Sequence, residues 1–208
     1  MKKYSYVGVA FIILIFGIYA IPKIVAKFKT PKLVTIGKVP NFKFTNQNGK
    51  IITNEFYKNK VYVVEFFFTT CPTICPKMNK NMVTIQDEFF GNPNFGIASF
   101  SINPKHDTPQ ILKEYAKKHG AILKNWNFLT GKQDAIYNLA NNGFTLYAGV
   151  NSNAEGGFEH SGMFALVDKN GNIRSRVDKY GNPIAFYDGL NPKEIYKIKE
   201  DITILLKE

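Results

Sequence analysis

Both cysteines of the 208-residue chain, Cys71 and Cys75, lie in the stretch FFFTTCPTICPKM (residues 66–78). Thiols four residues apart can close a disulfide, grip one metal ion, or sit as small apolar core residues. The apolar run before them reads as a buried strand, and Pro76 suits the first turn of a helix. The thiols thus fall at a helix N-terminus, where free N–H groups and the positive dipole end favour thiolate over thiol. The redox Cys-x-x-Cys of thioredoxin-like proteins occupies the same place, but here the spacing is one residue longer. That strand–loop–helix setting and the flanking prolines argue against two inert core cysteines.

Two thiolates leave a metal shell incomplete, so the three histidines matter. His119, in AKKHG, falls in the last turn of a helix, where a partly positive imidazole suits the dipole. His106, in NPKHDTP, lies in a loop after a strand and is a minor candidate. His160, in GGFEHSGMFALVD, precedes a strand whose entry, in a thioredoxin-like sheet, lies opposite the cysteine loop. Gly156 and Gly157 give its loop freedom to approach closely. Two thiolates and one imidazole form a soft, low-coordinate set. It suits trigonal Cu(I) and accommodates Cu(II) or Zn(II) with an added oxygen ligand, so the motif alone does not separate copper from zinc. A disulfide binds no metal, so redox state and metal loading exclude one another.

The elements that must position these groups can be read from patterning. FKFTNQNGKIITNEF reads as a hairpin turning at Asn48-Gly49. KVYVVEFFF is a continuous β-branched and aromatic run, fit for a central strand covered on both faces. A helix follows from Pro76 to Gly91, then a strand FGIASFSI. A second helix is capped by Asp107 or Thr108 and stopped by Gly120. WNFLTG is a strand, KQDAIYNLANNG a helix, and MFALVDKNGNIRSRV a hairpin pivoting on Asn170-Gly171. The C-terminal helix opens at Asn191-Pro192, with Glu194 placed for a capping box. This order predicts an α/β fold, a mixed sheet flanked by helices.

The N-terminus is distinct. After Lys2 and Lys3 there is no charge until Lys23, and residues 4–22 approach the roughly 20 apolar positions a membrane-crossing helix needs. A cleavable signal peptide competes with this reading. Residues 1–29 are taken as a membrane anchor, 30–38 as a linker and 39–208 as the folded domain. Lys23, Lys27, Lys29 and Lys32 after the span run against the positive-inside bias for an exported domain. The formal charge of +11 does not imply nucleic acid, because only Arg174 and Arg176 are arginines and no basic block or nucleic-acid-binding motif occurs.

FFFTTCPTICPKM, SINPKHDTPQILKEYAKKHG and EHSGMFALVDKNGNI, in this order behind an apolar N-terminus, resemble the Sco/SenC/PrrC proteins. These are membrane-tethered, thioredoxin-like copper chaperones for the dinuclear copper centre of cytochrome c oxidase. The resemblance implies a thioredoxin-like domain behind an N-terminal transmembrane helix, with one copper ion, Cu(I) or Cu(II), held by Cys71, Cys75 and His160. It further implies a dithiol that can act as a reductant. The implied partners are the copper-centre subunit of the oxidase, another copper chaperone or a thioredoxin-like reductant. The implied location is a bacterial inner membrane, with the domain in the periplasm. A thiol-disulfide oxidoreductase or redox sensor is the alternative, with Cys71 and Cys75 as the catalytic pair. The chain departs from the family at Thr73, where an acid is common, at Asn103 and Glu159, where Asp is usual, and at His106, in place of Arg.

Overall fold

The computed structural model describes residues 5–28, 31–154 and 156–208. The chain separates into two compact units, Met1–Lys32 and Leu33–Glu208. The first holds helix α1, Ser5–Phe28. Its described side chains, residues 6–21, are mostly exposed apolar groups. Among the described residues no helix is long and apolar enough to cross a membrane. The expected spanning helix is therefore not met on those residues, and residues 1–4 and 29 of the anchor lie outside the description.

The second unit grows from the apolar runs. β4 (Val61–Phe67), β5 (Phe95–Ser101) and β6 (Trp126–Thr130) are buried at every position and pair in parallel. Continuous β-branched and aromatic sequence produces this, since both faces of such strands are covered. On one face Phe67 packs on Tyr115 and Phe128; on the other Phe66 and Phe100 stack and meet Phe144, Phe42 and Phe44. α2 (Cys75–Glu88) joins β4 to β5, and α3 (Pro109–Lys118) joins β5 to β6. Beyond β6 lies the hairpin of β2 (Lys43–Asn46) and β3 (Ile51–Thr53), turning through Gly49 at φ +73°. α4 (Gln133–Asn138) widens into one loose turn over Leu139–Gly143.

β9 (Met163–Val167) runs antiparallel beside β4 and pairs onward with β10 (Asn172–Arg176) and β11 (Tyr187–Asp188). A separate ribbon joins β7 (Ala148–Val150) to β8 (Phe158–His160), and α5 (Pro192–Lys207) closes the chain. Residues 33–38, expected as linker, instead form the edge strand β1 (Leu33–Lys38), paired with β10. The capping box expected at α5 is half made. Asn191 accepts from Lys193 N, but Glu194 pairs with Lys197, and the Asn191 N–H goes to Asp188 O.

β10 is fastened to α5 by charge. Arg176 Nε donates to Asp201 Oδ2 at 2.6 Å, as does Tyr187 Oη, and Asp201 is fully buried. Arg176→Ala strands that carboxylate and should cost about 3–5 kcal/mol, read as a lower urea midpoint. Without its cation Asp201 prefers the neutral form, so the folded variant binds protons more tightly than the unfolded chain. Its stability should then fall as pH rises, making the loss larger at pH 8 than at pH 5.

Candidate metal centre

β4 and β5 end at the same edge of the sheet, where Phe67 pairs with Ser101. Loops 68–74 and 102–108 leave side by side from that edge. Asp107, fully buried, ties them together: it accepts from Thr69 N at 3.0 Å, from Ser101 Oγ at 2.5 Å, and from the Thr69 hydroxyl. Thr69 is thereby fixed two residues before Cys71, and Cys71 N turns back onto Phe68 O at 3.2 Å. Cys75 is the first residue of α2, with Pro76 behind it in the first turn, as the sequence predicts.

β9 antiparallel to β4 brings its N-terminal end to this same edge, and His160 closes β8 just before it. His160 Nδ1 lies 3.0 Å from Ser161 O, a carbonyl that can only accept, so Nδ1 carries the proton. The Nε2 lone pair then faces Cys75 Sγ at 3.2 Å. The ring stands edge-on to Phe68, with centroids 5.8 Å apart. The ligand atoms of Cys71, Cys75 and His160 all lie within 4.8 Å of one another. Cys75 is fully enclosed, while Cys71 and His160 keep 8% and 7% exposure toward a mouth lined by Thr73, Ile74, Phe158 and Glu159. Gly156 is needed beside that mouth: a Cβ there would stand 2.9 Å from the Phe68 ring, and its φ is +86°.

The two thiols are unequal. The Cys75 thiol, aided by the amides of Cys75 and Thr73, holds Cys71 well below the usual thiol range against the opposing effect of burial. Cys75 is pushed up, first by the Cys71 sulfur beside it and then by burial. The resting dithiol therefore stores one thiolate, on Cys71. Thr73 Oγ1 is 3.7 Å from that sulfur. Two sulfurs and one imidazole with its lone pair turned inward form a donor set fit for a soft, low-coordinate ion.

The other histidines stay apart. His106 is held by Asp107 Oδ1 at 2.8 Å, half exposed and outside the trio. His119 caps α3 against the Tyr115 ring at 4.2 Å. Burial, then Lys118, lowers its pKa, so it favours the neutral ring rather than the cation expected at a helix end. Sequence reasoning missed Asn141. Its amide donates to Ala148 O and accepts from Ala148 N, both at 2.9 Å, and Ala148 is the ribbon partner of His160. A side chain copying a strand edge in this way is invisible to patterning; Asn-Asn-Gly read only as a helix stop.

Comparison with known proteins bears on this site. The SCO1/SenC family model matches residues 34–192. A SCO1 protein homolog of Bacillus subtilis is 35% identical over 138 residues, covering 65% of this chain and 71% of its own. BsSco, solved as a member of the Sco family of cytochrome c oxidase assembly proteins with a disulfide switch, is 28% identical. It superposes with a TM-score of 0.68 over 84% of this chain and 96% of that one. Yeast Sco1 with copper bound shares the fold at 21% identity and a TM-score of 0.61, over 80% of this chain and 89% of its own.

Limited alkylation of the reduced chain at pH 6, read by mass spectrometry, should label Cys71 first. An ordinary thiol is under about 1% thiolate at that pH, whereas Cys71 is already ionised. Cys75 should react only slowly until the chain is unfolded. Asn141→Ala frees the ribbon from two hydrogen bonds and should speed Cys75 labelling by about 10-fold; an unchanged rate would show that Asn141 does not hold His160 over the thiol.

Proposed function

The chain belongs to the SCO1/SenC family, and from that premise we propose that it binds one copper ion through Cys71, Cys75 and His160 as an assembly factor for cytochrome c oxidase. One observation carries this reading: three soft donors from two distant segments meet within 4.8 Å, with the imidazole lone pair turned toward a thiol. The Cys71 thiolate, at the mouth, is the first donor an arriving ion meets. Cys75 loses its proton as it joins, and His160 closes the third side without changing its tautomer. Delivery to the dinuclear copper site of the oxidase would reverse this order by ligand exchange, Cys71 being the last donor released and the one nearest a partner's thiolate. The apolar residues of α1 support tethering at a membrane, and the periplasmic side for the domain follows from the family resemblance alone.

A second reading rests on the inequality of the thiols. A stored thiolate at Cys71 with Cys75 in reach is also the arrangement of a dithiol reductant: Cys71 attacks a partner disulfide, and Cys75 resolves the mixed disulfide. His160 separates the two readings. The full-length chain in detergent, reduced and loaded with copper, should hold one ion per chain and show a thiolate-to-Cu(II) absorption band. Cys71→Ala, Cys75→Ala and His160→Ala should each lose stoichiometric binding. Tight binding retained in all three variants would sink the copper reading, and His160→Ala that keeps full disulfide reduction but no copper would favour the reductant.

A further inference from the structure

Glu65 is the only charged residue in the three central strands, and no part of it is exposed. Ser99, its register partner on β5, donates to Oε1 at 2.6 Å and itself accepts from Trp126 Nε1 at 2.9 Å. Oε2 is buried with no hydrogen-bond partner among the described residues. Strand alternation puts Glu65 on the same face as Phe67, which packs against Tyr115. Asn79 donates both to the Tyr115 hydroxyl, at 2.8 Å, and to the Cys75 carbonyl, at 2.9 Å, while its own Oδ1 is left unpartnered. Two buried polar groups, Glu65 with Ser99 and Asn79 with Tyr115, thus interrupt an otherwise aromatic layer, the second of them reaching the Cys75 carbonyl under the metal centre. An acid in such a place costs several kcal/mol when ionised and unpaired, and neither the packing of β4 nor the donor set requires it.

We propose that Glu65 is the proton-holding residue of the metal centre: it is neutral while the three donors hold Cu(I), ionised while they hold Cu(II), and so couples one proton to the valence of the bound ion. The inference rests on the copper reading above. Two thiolates, a neutral imidazole and Cu(I) leave one net negative charge, whereas the same donors with Cu(II) leave none. A negative neighbour favours the protonated carboxyl. Burial already pushes Glu65 up to about 7, with the Ser99 hydrogen bond and His160 opposing, so the added charge acts across neutral pH. The titratable groups that act on it are Cys75 on α2, Tyr115 on α3 and His160 on β8, while Cys71 and Asp107 in the adjoining loops act on Tyr115. β9 presents only apolar side chains. Reduction of a bound Cu(II) ion by a one-electron donor would be matched by uptake of one proton from water at Glu65, so that charge balances.

The test compares the full-length chain in detergent with Glu65→Gln, measuring Cu(I) and Cu(II) affinities by chelator competition at pH 6 and pH 8. The ratio of Cu(I) to Cu(II) affinity should be about 10-fold higher in Glu65→Gln than in wild type at pH 8. At pH 6, where Glu65 is protonated in both valence states, the two should agree within about 2-fold. Ser99→Ala keeps the acid but removes the hydroxyl that favours its ionised form, so the pH at which the wild-type ratio changes should move upward. This variant carries the test if Glu65→Gln fails to fold. Copper bound normally with no pH-dependent offset, or a Ser99→Ala profile that does not move, overturns this inference alone. A wild-type chain that binds no copper overturns the copper reading and takes this inference with it.

Discussion

Cys75 Sγ and His160 Nε2 approach to 3.2 Å across 85 residues of chain, and most of the domain serves that distance. The cysteine comes from the carboxyl end of a strand and the histidine from the amino end of another chain segment. Only an antiparallel β9 beside β4 puts those two ends at one edge. The register of Val64 with Ala165 fixes how far along the edge they meet. A slip of one residue would turn every side chain of β9 to the other face. The aromatic layers on both faces of β4 forbid that slip, because Phe66 and Phe67 must go to different neighbours. Packing of large apolar groups thus sets the geometry of three small polar ones.

Burial then decides their protonation. With little water at the centre, each charge depends on nearby dipoles, and the cluster settles with one anion among the donors. Cys71 takes it because its sulfur meets the Cys75 thiol and two amides at once, whereas Cys75 lies deeper and beside the charge. The imidazole has its Nδ1–H fixed on the Ser161 carbonyl. The same low dielectric makes polar anchors strong. Asp107 holds the cysteine loop and Asn141 holds the ribbon, each with its hydrogen bonds shielded from competing water.

The central strands, three of the helices and both Asn-Gly turns were legible because each has a local cause: a β-branched run, a cap or proline start, a glycine at positive φ. The two cysteines were legible for the same reason, being adjacent to a strand end and a helix start. His160 needed more, since its meaning depends on which sheet edge its segment reaches; the resemblance to a family carried that step. What stayed hidden has no local signature. β1 is a strand because β10 offers it a partner edge, and LVTIGK alone does not alternate strongly. The β7–β8 ribbon exists because Asn141 and Tyr147 fasten its ends. His119 lies against the Tyr115 ring, and its burial there, with Lys118 beside it, favours the neutral form over the cation that the helix end would suit.

The departures from the family pattern sort by how near they stand to the stored thiolate. Thr73 is 3.7 Å from Cys71 Sγ. A hydroxyl there can donate to the anion, whereas the carboxylate common in relatives would repel it, so this chain favours the thiolate more than an acidic variant of the loop would. Glu159 lines the mouth but spends one oxygen on Asn151, and its charge faces solvent rather than the sulfurs. His106 stands where an arginine is usual and gives its Nδ1 to Asp107. It therefore adds one more partner to the carboxylate that anchors the cysteine loop. These changes leave the three donors in place and alter only the field around them, which is where two proteins with one ligand set can differ in how firmly they hold, and how readily they release, the same ion.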